Sequence, residues 1–256
     1  MAVNEGSMVR AGAPSGLLPE LDARSEASAA GHARAVRGMF GRISPTYDLL
    51  NRLLSLGIDR RWRQRALDVL AAEVPEGPLL DSCAGTLDLA AALQKRWPGR
   101  ALLACDFAAE MLLAGRAKVG AGARLLVCDA MRLPFASGSF AGITCGFGLR
   151  NLGDPLLGLT EAHRVLAPGG VLVVLEFFRP TRAVTRLFHA IYGRLLLPLA
   201  GRIVSGDTEA YAYLSRSMLG FLTRAELEQA MAAAGFERVR GMDLTLGIAS
   251  IVWGIK

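Results

Sequence analysis

Short apolar runs recur along the middle of the chain, at residues 78–84 (PLLDSCA), 100–107 (RALLACDF), 124–130 (RLLVCDA) and 140–146 (FAGITCG), with a fifth at 171–178 (VLVVLEFF). They lack the strict alternation of a half-buried strand and are too short for helices, so they predict strands buried on both faces of a sheet. Helical segments separate them. Residues 87–96 stop at Trp97-Pro98-Gly99, 108–119 stop at a glycine-rich turn, and 155–166 open behind Asp154 as an N-cap and stop at Pro168-Gly169-Gly170. Regular alternation of strand and helix predicts an α/β fold, a parallel sheet with helices on both faces.

Farther on, Thr223 and Glu226 form a capping-box pair at the start of a helix that ends at Gly235. Two more strand-like runs follow, 238–245 and 248–255, joined by a turn at Leu246-Gly247 that is too short for a parallel crossover. The expectation is a seven-stranded, mostly parallel sheet with an antiparallel last strand. Residues 34–77 read as N-terminal helices and 181–220 as a helical lid or membrane-facing insert, all within one domain over 34–256; residues 1–33 read as a disordered extension.

With 52% apolar residues in 256, the chain can bury a sizeable core, and no apolar stretch approaches the roughly 20 residues of a membrane span. Residues 1–33 lack the apolar block of a signal peptide and hold Glu5, Arg10, Glu20, Asp22, Arg24 and Glu26, so a cytoplasmic location is expected. The net charge of +6 is too modest to argue for nucleic acid. The cluster Arg60-Arg61-Trp62-Arg63-Gln64-Arg65 reads as a solvated helix face anchored by a tryptophan, with no nucleic-acid-binding motif beside it. Arg179, Arg182, Arg186, Arg194 and Arg202 fall in a stretch without acids between Glu176 and Asp207, among leucines and Phe188, which reads either as a membrane-surface face or as a lid on the protein's own core. Cys83, Cys105, Cys128 and Cys145 have no metal-ligand spacing; free thiols and no metal site are expected.

Ligands of open parallel sheets bind beyond the carboxyl ends of the strands, where strand order reverses. Those ends carry Asp81 with the loop Cys83-Ala84-Gly85-Thr86-Leu87-Asp88, then Asp106-Phe107, then Asp129-Ala130, then Gly146 followed by Phe147-Gly148-Leu149-Arg150-Asn151. Asp106 follows Asp81 by 25 residues, a distance at which a carboxylate meets the ribose hydroxyls of a nucleoside. The loop offers Gly85 alone where a dinucleotide site needs three glycines against its pyrophosphate, so an NAD-dependent oxidoreductase fits poorly. A nucleoside without phosphates fits better, and S-adenosylmethionine answers that description; the alternative is aspartates that merely cap loops.

Several segments resemble the quinone-pathway C-methyltransferases that act on demethylmenaquinol or a ubiquinol precursor. They are MFGRISPTYDLLNRLLSLGIDRRWR (39–63), CDFAAEML (105–112), DAMRLPF (129–135), FGLRNLGD (147–154), HRVLAPGG (163–170), LEFFRP (175–180) and VSGDTEAYAYL (204–214). The resemblance implies a Rossmann-like class I S-adenosylmethionine-dependent methyltransferase that methylates a ring carbon of a polyprenylated hydroquinone. Demethylmenaquinol is the first candidate, and a ubiquinone precursor is the alternative. It also implies that Thr86, Asp106, Asp129 and Ala130 hold the cofactor, Asp106 on the ribose and Asp129-Ala130 near the adenine, with Asp81 toward the methionine end and Gly85, Phe107 and Gly146 in the same site. Leu87 stands where the family pattern has glycine; its side chain lies either beside the methionine moiety or in the core.

On the substrate side the expected residues are Arg150 and Asn151 at the end of the fourth strand, with Tyr47 and Asp48 folding over from the N-terminal helices. Arg150 would stabilise a phenolate or orient a water; the alternative is a loop contact with Asp154. His163 and His189 are expected outside the chemistry. Expected partners are the lipid quinol, the inner face of a membrane in peripheral contact, and a second copy or other quinone-synthesis enzymes. The rival from another class is a non-catalytic methyltransferase-like module in which Leu87 has cost the cofactor.

Overall fold

Among the described residues, three helices precede the sheet: α1 (Glu26–Ile43), α2 (Tyr47–Leu54) and α3 (Asp59–Glu73). The computed structural model describes residues 26–186 and 208–256. Helix α1 begins at Glu26, inside the segment expected to be an extension. Then follow β1 (Leu79–Ser82), α4 (Asp88–Arg96), β2 (Leu102–Asp106), α5 (Ala109–Gly115), β3 (Arg124–Val127), β4 (Phe140–Gly146), α6 (Pro155–Val165) and β5 (Leu166–Glu176). The chain closes with α7 (Thr208–Leu219), α8 (Arg224–Ala233), β6 (Glu237–Leu244) and β7 (Ala249–Ile255).

The strands form one seven-stranded sheet in the order β3-β2-β1-β4-β5-β7-β6. The first five run parallel, and β7 is antiparallel to both β5 and β6. Strand order reverses at β1, between β2 and β4, which puts the switch point above Asp81. Residues of α6 and α8 (Leu159, Val165, Leu227, Met231) fill the core on one face, and residues of α3 and α4 (Leu67, Leu70, Ala90, Leu93) fill it on the other.

Both expected caps form. Asp154 accepts from the backbone amides of Leu156 and Leu157, and Thr223 with Glu226 closes a reciprocal capping box. Strand β3 departs from expectation: it is an edge strand with Leu126 and Val127 exposed, because no described strand pairs with its outer side.

Candidate active site

The strand ends open into a cavity of about 350 Å³, in the range of small-molecule sites. Strand β1 brings in Asp81, 1% exposed, whose Oδ1 accepts from Thr144 Oγ1 at 2.7 Å. Its Oδ2 is buried in the cavity wall with no hydrogen-bond partner. Burial disfavours the charged form and raises this carboxyl to about 7. An orphaned carboxylate oxygen is costly unless something fills its place, and a cationic ligand end does so.

The loop after β1 turns through left-handed backbone at Cys83, Gly85 and Leu87, with φ of 54°, 52° and 66°. Only glycine takes this conformation without strain. Leu87 is fully buried in the core beside α4 and is not in the cavity wall, so the core orientation holds and its side chain leaves the cavity open. Gly85 N donates to Asp106 Oδ2 and Ala108 N donates to Oδ1, each at 2.9 Å, which ties the loops after β1 and β2 to one carboxylate. Burial raises the Asp106 carboxyl against these backbone bonds. A Cβ on Gly115 would stand 2.2 Å from the Thr86 carbonyl oxygen, so glycine is what lets α5 approach this loop.

Helix α2 is pinned over the loop. Thr86 Oγ1 donates to Asp48 Oδ1 at 2.5 Å, and Lys118 Nζ bridges Asp48 and Asp88 at 2.5 and 2.6 Å. Tyr47 lines the cavity beside Phe40 in an edge-on pair. From α3, Arg63 reaches the cavity wall, pairs with Asp59 and lies 3.4 Å from Asp88. Burial opposes ionisation of Asp59, but the bonds from Ser55 and Arg63 outweigh it and hold its carboxyl low.

Past β4, Phe147 adopts φ 57°. Its carbonyl accepts from Arg150 Nη1 at 2.7 Å and from Asn151 Nδ2 at 3.2 Å, so both side chains hold one strained turn. Arg150 Nη1 also donates to Glu176 Oε1 at 2.5 Å, in an ion pair 4% and 0% exposed, and the guanidinium packs over Phe177. Burial raises the Glu176 carboxyl in spite of Arg150. Asn151 Oδ1 accepts from Tyr213 on α7 at 3.1 Å.

All eight residues expected around the cofactor (Asp81, Gly85, Thr86, Asp106, Phe107, Asp129, Ala130 and Gly146) line this one cavity, together with Tyr47 and Asn151. Asp48 touches it through Thr86. Arg150 lies behind the wall against Glu176 and makes no pair with Asp154, which is occupied as the α6 cap. Sequence reasoning did not single out Arg63, Arg34, Arg37, Phe40, Glu176 or Tyr213. The signals were an acid closing an apolar strand run and a tyrosine within the quoted EAYAYL segment.

Trp62 is buried as an anchor, its Nε1 donating to Thr245 Oγ1 at 2.8 Å, while Arg60, Arg61 and Arg65 are exposed. His163 packs edge-on against Phe236, away from the cavity; His189 lies outside the described residues. Of the arginines in the acid-free stretch, Arg179 pairs with Glu226 and Arg182 with Asp243, while Arg194 and Arg202 lie outside the described residues. The four cysteines are free, and the described residues hold no group of metal ligands and no helix long and apolar enough to cross a membrane.

A model of the ubiE/COQ5 methyltransferase family matches residues 27–256. A demethylmenaquinone methyltransferase of Thermus thermophilus is 46% identical over 216 residues, covering 83% of this chain and 97% of the relative. A ubiquinone/menaquinone biosynthesis C-methyltransferase of a Geobacter species is 42% identical, covering 86% and 96%. Among solved structures, an S-adenosylmethionine-dependent methyltransferase of Thermotoga maritima superposes with a TM-score of 0.61 at 20% identity, covering 86% of this chain and 99% of that one, a likeness of fold.

Proposed function

Because the chain belongs to the ubiE/COQ5 methyltransferase family and is an S-adenosylmethionine-dependent C-methyltransferase of quinone biosynthesis, we propose that it methylates the ring of demethylmenaquinol. A ubiquinone precursor is the second substrate reading, supported by the double name of the Geobacter relative. The observation that carries the site assignment is the buried, unpartnered Oδ2 of Asp81, a residue in the wall of a cavity whose loop is not built for phosphates. Asp81 receives the cationic methionine end, Asp106 the ribose, and Asp129 with Ala130 the adenine edge.

The cofactor supplies the methyl group. The protein's own tasks are to align the acceptor carbon and to manage the proton that a ring hydroxyl gives up, and alignment can contribute about 7 to 11 kcal/mol. Tyr47 and Asn151, both in the cavity wall, hold the ring hydroxyl. Arg150 acts through Asn151: by gripping the Phe147 carbonyl it fixes the turn that aims the amide. The quinol is drawn from a membrane surface in peripheral contact, and the chain associates with a second copy or with other quinone-synthesis enzymes.

Incubation of the purified protein with methyl-labelled cofactor and each demethylated quinol, followed by mass measurement, tests the reading. Label in the menaquinol product is the expected result. Label only in the ubiquinol product would move the substrate assignment, and label in neither would refute it.

A further inference from the structure

Helix α2 has two working faces. One carries Tyr47, in the cavity wall, and Asp48, bonded to Thr86. The other carries Leu49 and Leu53, one turn apart and exposed by 59% and 53%, and Leu56, exposed by 83%, follows in the left-handed turn that closes the helix. Arg52 is exposed one turn after Leu49, and Arg60 and Arg61 are exposed where α3 begins. The one acid between residues 49 and 61 is Asp59, which is buried and paired with Arg63. Three large apolar side chains held in water on adjacent turns mark an interaction surface. The exposed charged residues between 49 and 61 are all arginines.

We propose that this face of α2 docks on an anionic lipid bilayer, the three leucines entering the boundary between headgroups and acyl chains while Arg52, Arg60 and Arg61 stay level with the phosphates. A bilayer suits this pattern because it offers an apolar layer beneath a negative one, the same vertical order the face presents. The purpose of the contact rests on the lipid-quinol reading above, since docking here sets the cavity, one helix width away, over the layer that holds a prenyl tail. The binding itself needs no turnover to be seen.

The full chain is sedimented with vesicles of phosphatidylcholine alone and of phosphatidylcholine mixed with phosphatidylglycerol. Two triple variants are compared with it, Leu49→Ser/Leu53→Ser/Leu56→Ser and Arg52→Gln/Arg60→Gln/Arg61→Gln. The native chain is expected to favour the anionic vesicles, and each triple variant to lower partitioning about 100-fold, roughly fivefold per residue. Both variants should keep the native thermal midpoint and turn over a quinol with a short, water-soluble tail at the native rate. Equal sedimentation of the native chain and the leucine variant would overturn the proposal. So would light scattering that shows a dimer dissolved by the leucine substitutions, which would assign the patch to a second copy. Vesicle binding without any quinol methylation would leave the docking face standing and remove the substrate reading.

Discussion

Arg150 and Glu176 form a buried ion pair on which the turn above β4 depends. Removing one member of such a pair leaves the other charged and dry, at a cost of about 3 to 5 kcal/mol, whereas a neutral pair of similar volume is often tolerated. Arg150→Ala should therefore lower the urea midpoint steeply. The double variant Arg150→Met/Glu176→Gln should recover most of the stability yet turn over quinol at least about 100-fold more slowly, with cofactor affinity within a few-fold of native. If the double variant is both stable and active, the positioning role assigned to Arg150 is wrong. The importance of residues 150 and 151 is legible from their place after a parallel strand; the partner of Arg150 is not. Glu176 is 26 positions away and becomes a neighbour only because β4 and β5 pair in register. Arg63 is hidden for another reason: within a run of arginines, local sequence does not tell which one points inward.

The helix boundaries follow from local chemistry, and for that reason the caps at Asp154 and Thr223 match their sequence expectation. Thr223→Ala removes the hydroxyl that accepts from Glu226 N, and should destabilise the protein by about 1 kcal/mol in chemical denaturation, while Thr223→Ser keeps that acceptor and should stay at native stability. Equal losses would show that the capping bond contributes nothing. Other features have no local signature. An apolar run such as RLLV in β3 reads the same at the centre and at the edge of a sheet, so its exposure depends on strand order alone. The start of α1 at Glu26 falls in a stretch rich in Ala, Gly and Ser that carries little helical period. Leu87 needed the backbone: φ of 66° turns its side chain down into the core.

For the molecule as a whole, the buried carboxyls shape stability against pH. Asp81 is raised from 3.8 to about 7, so between about pH 4 and pH 7 the native state holds a proton that the unfolded chain has released. Stability from this group is therefore full at the acid end and is lost as pH rises through the window, by on the order of 4 kcal/mol. Asp106 and Glu176, also raised, act in the same sense. Asp81→Asn should flatten the curve of unfolding free energy over this range relative to the native protein; parallel curves would show that Asp81 titrates normally. The sheet carries a different consequence, which concerns synthesis. Strand β7, the last of the seven strands to be synthesised, is inserted between β5 and β6, and the hairpin it closes also supplies Thr245, the hydroxyl that anchors Trp62 of α3. Until β7 emerges, the VLVVLE ladder of β5 has a bare edge that invites pairing with any other nascent chain. A transcript cut short by even one strand thus yields a sticky fragment instead of a slightly weakened enzyme.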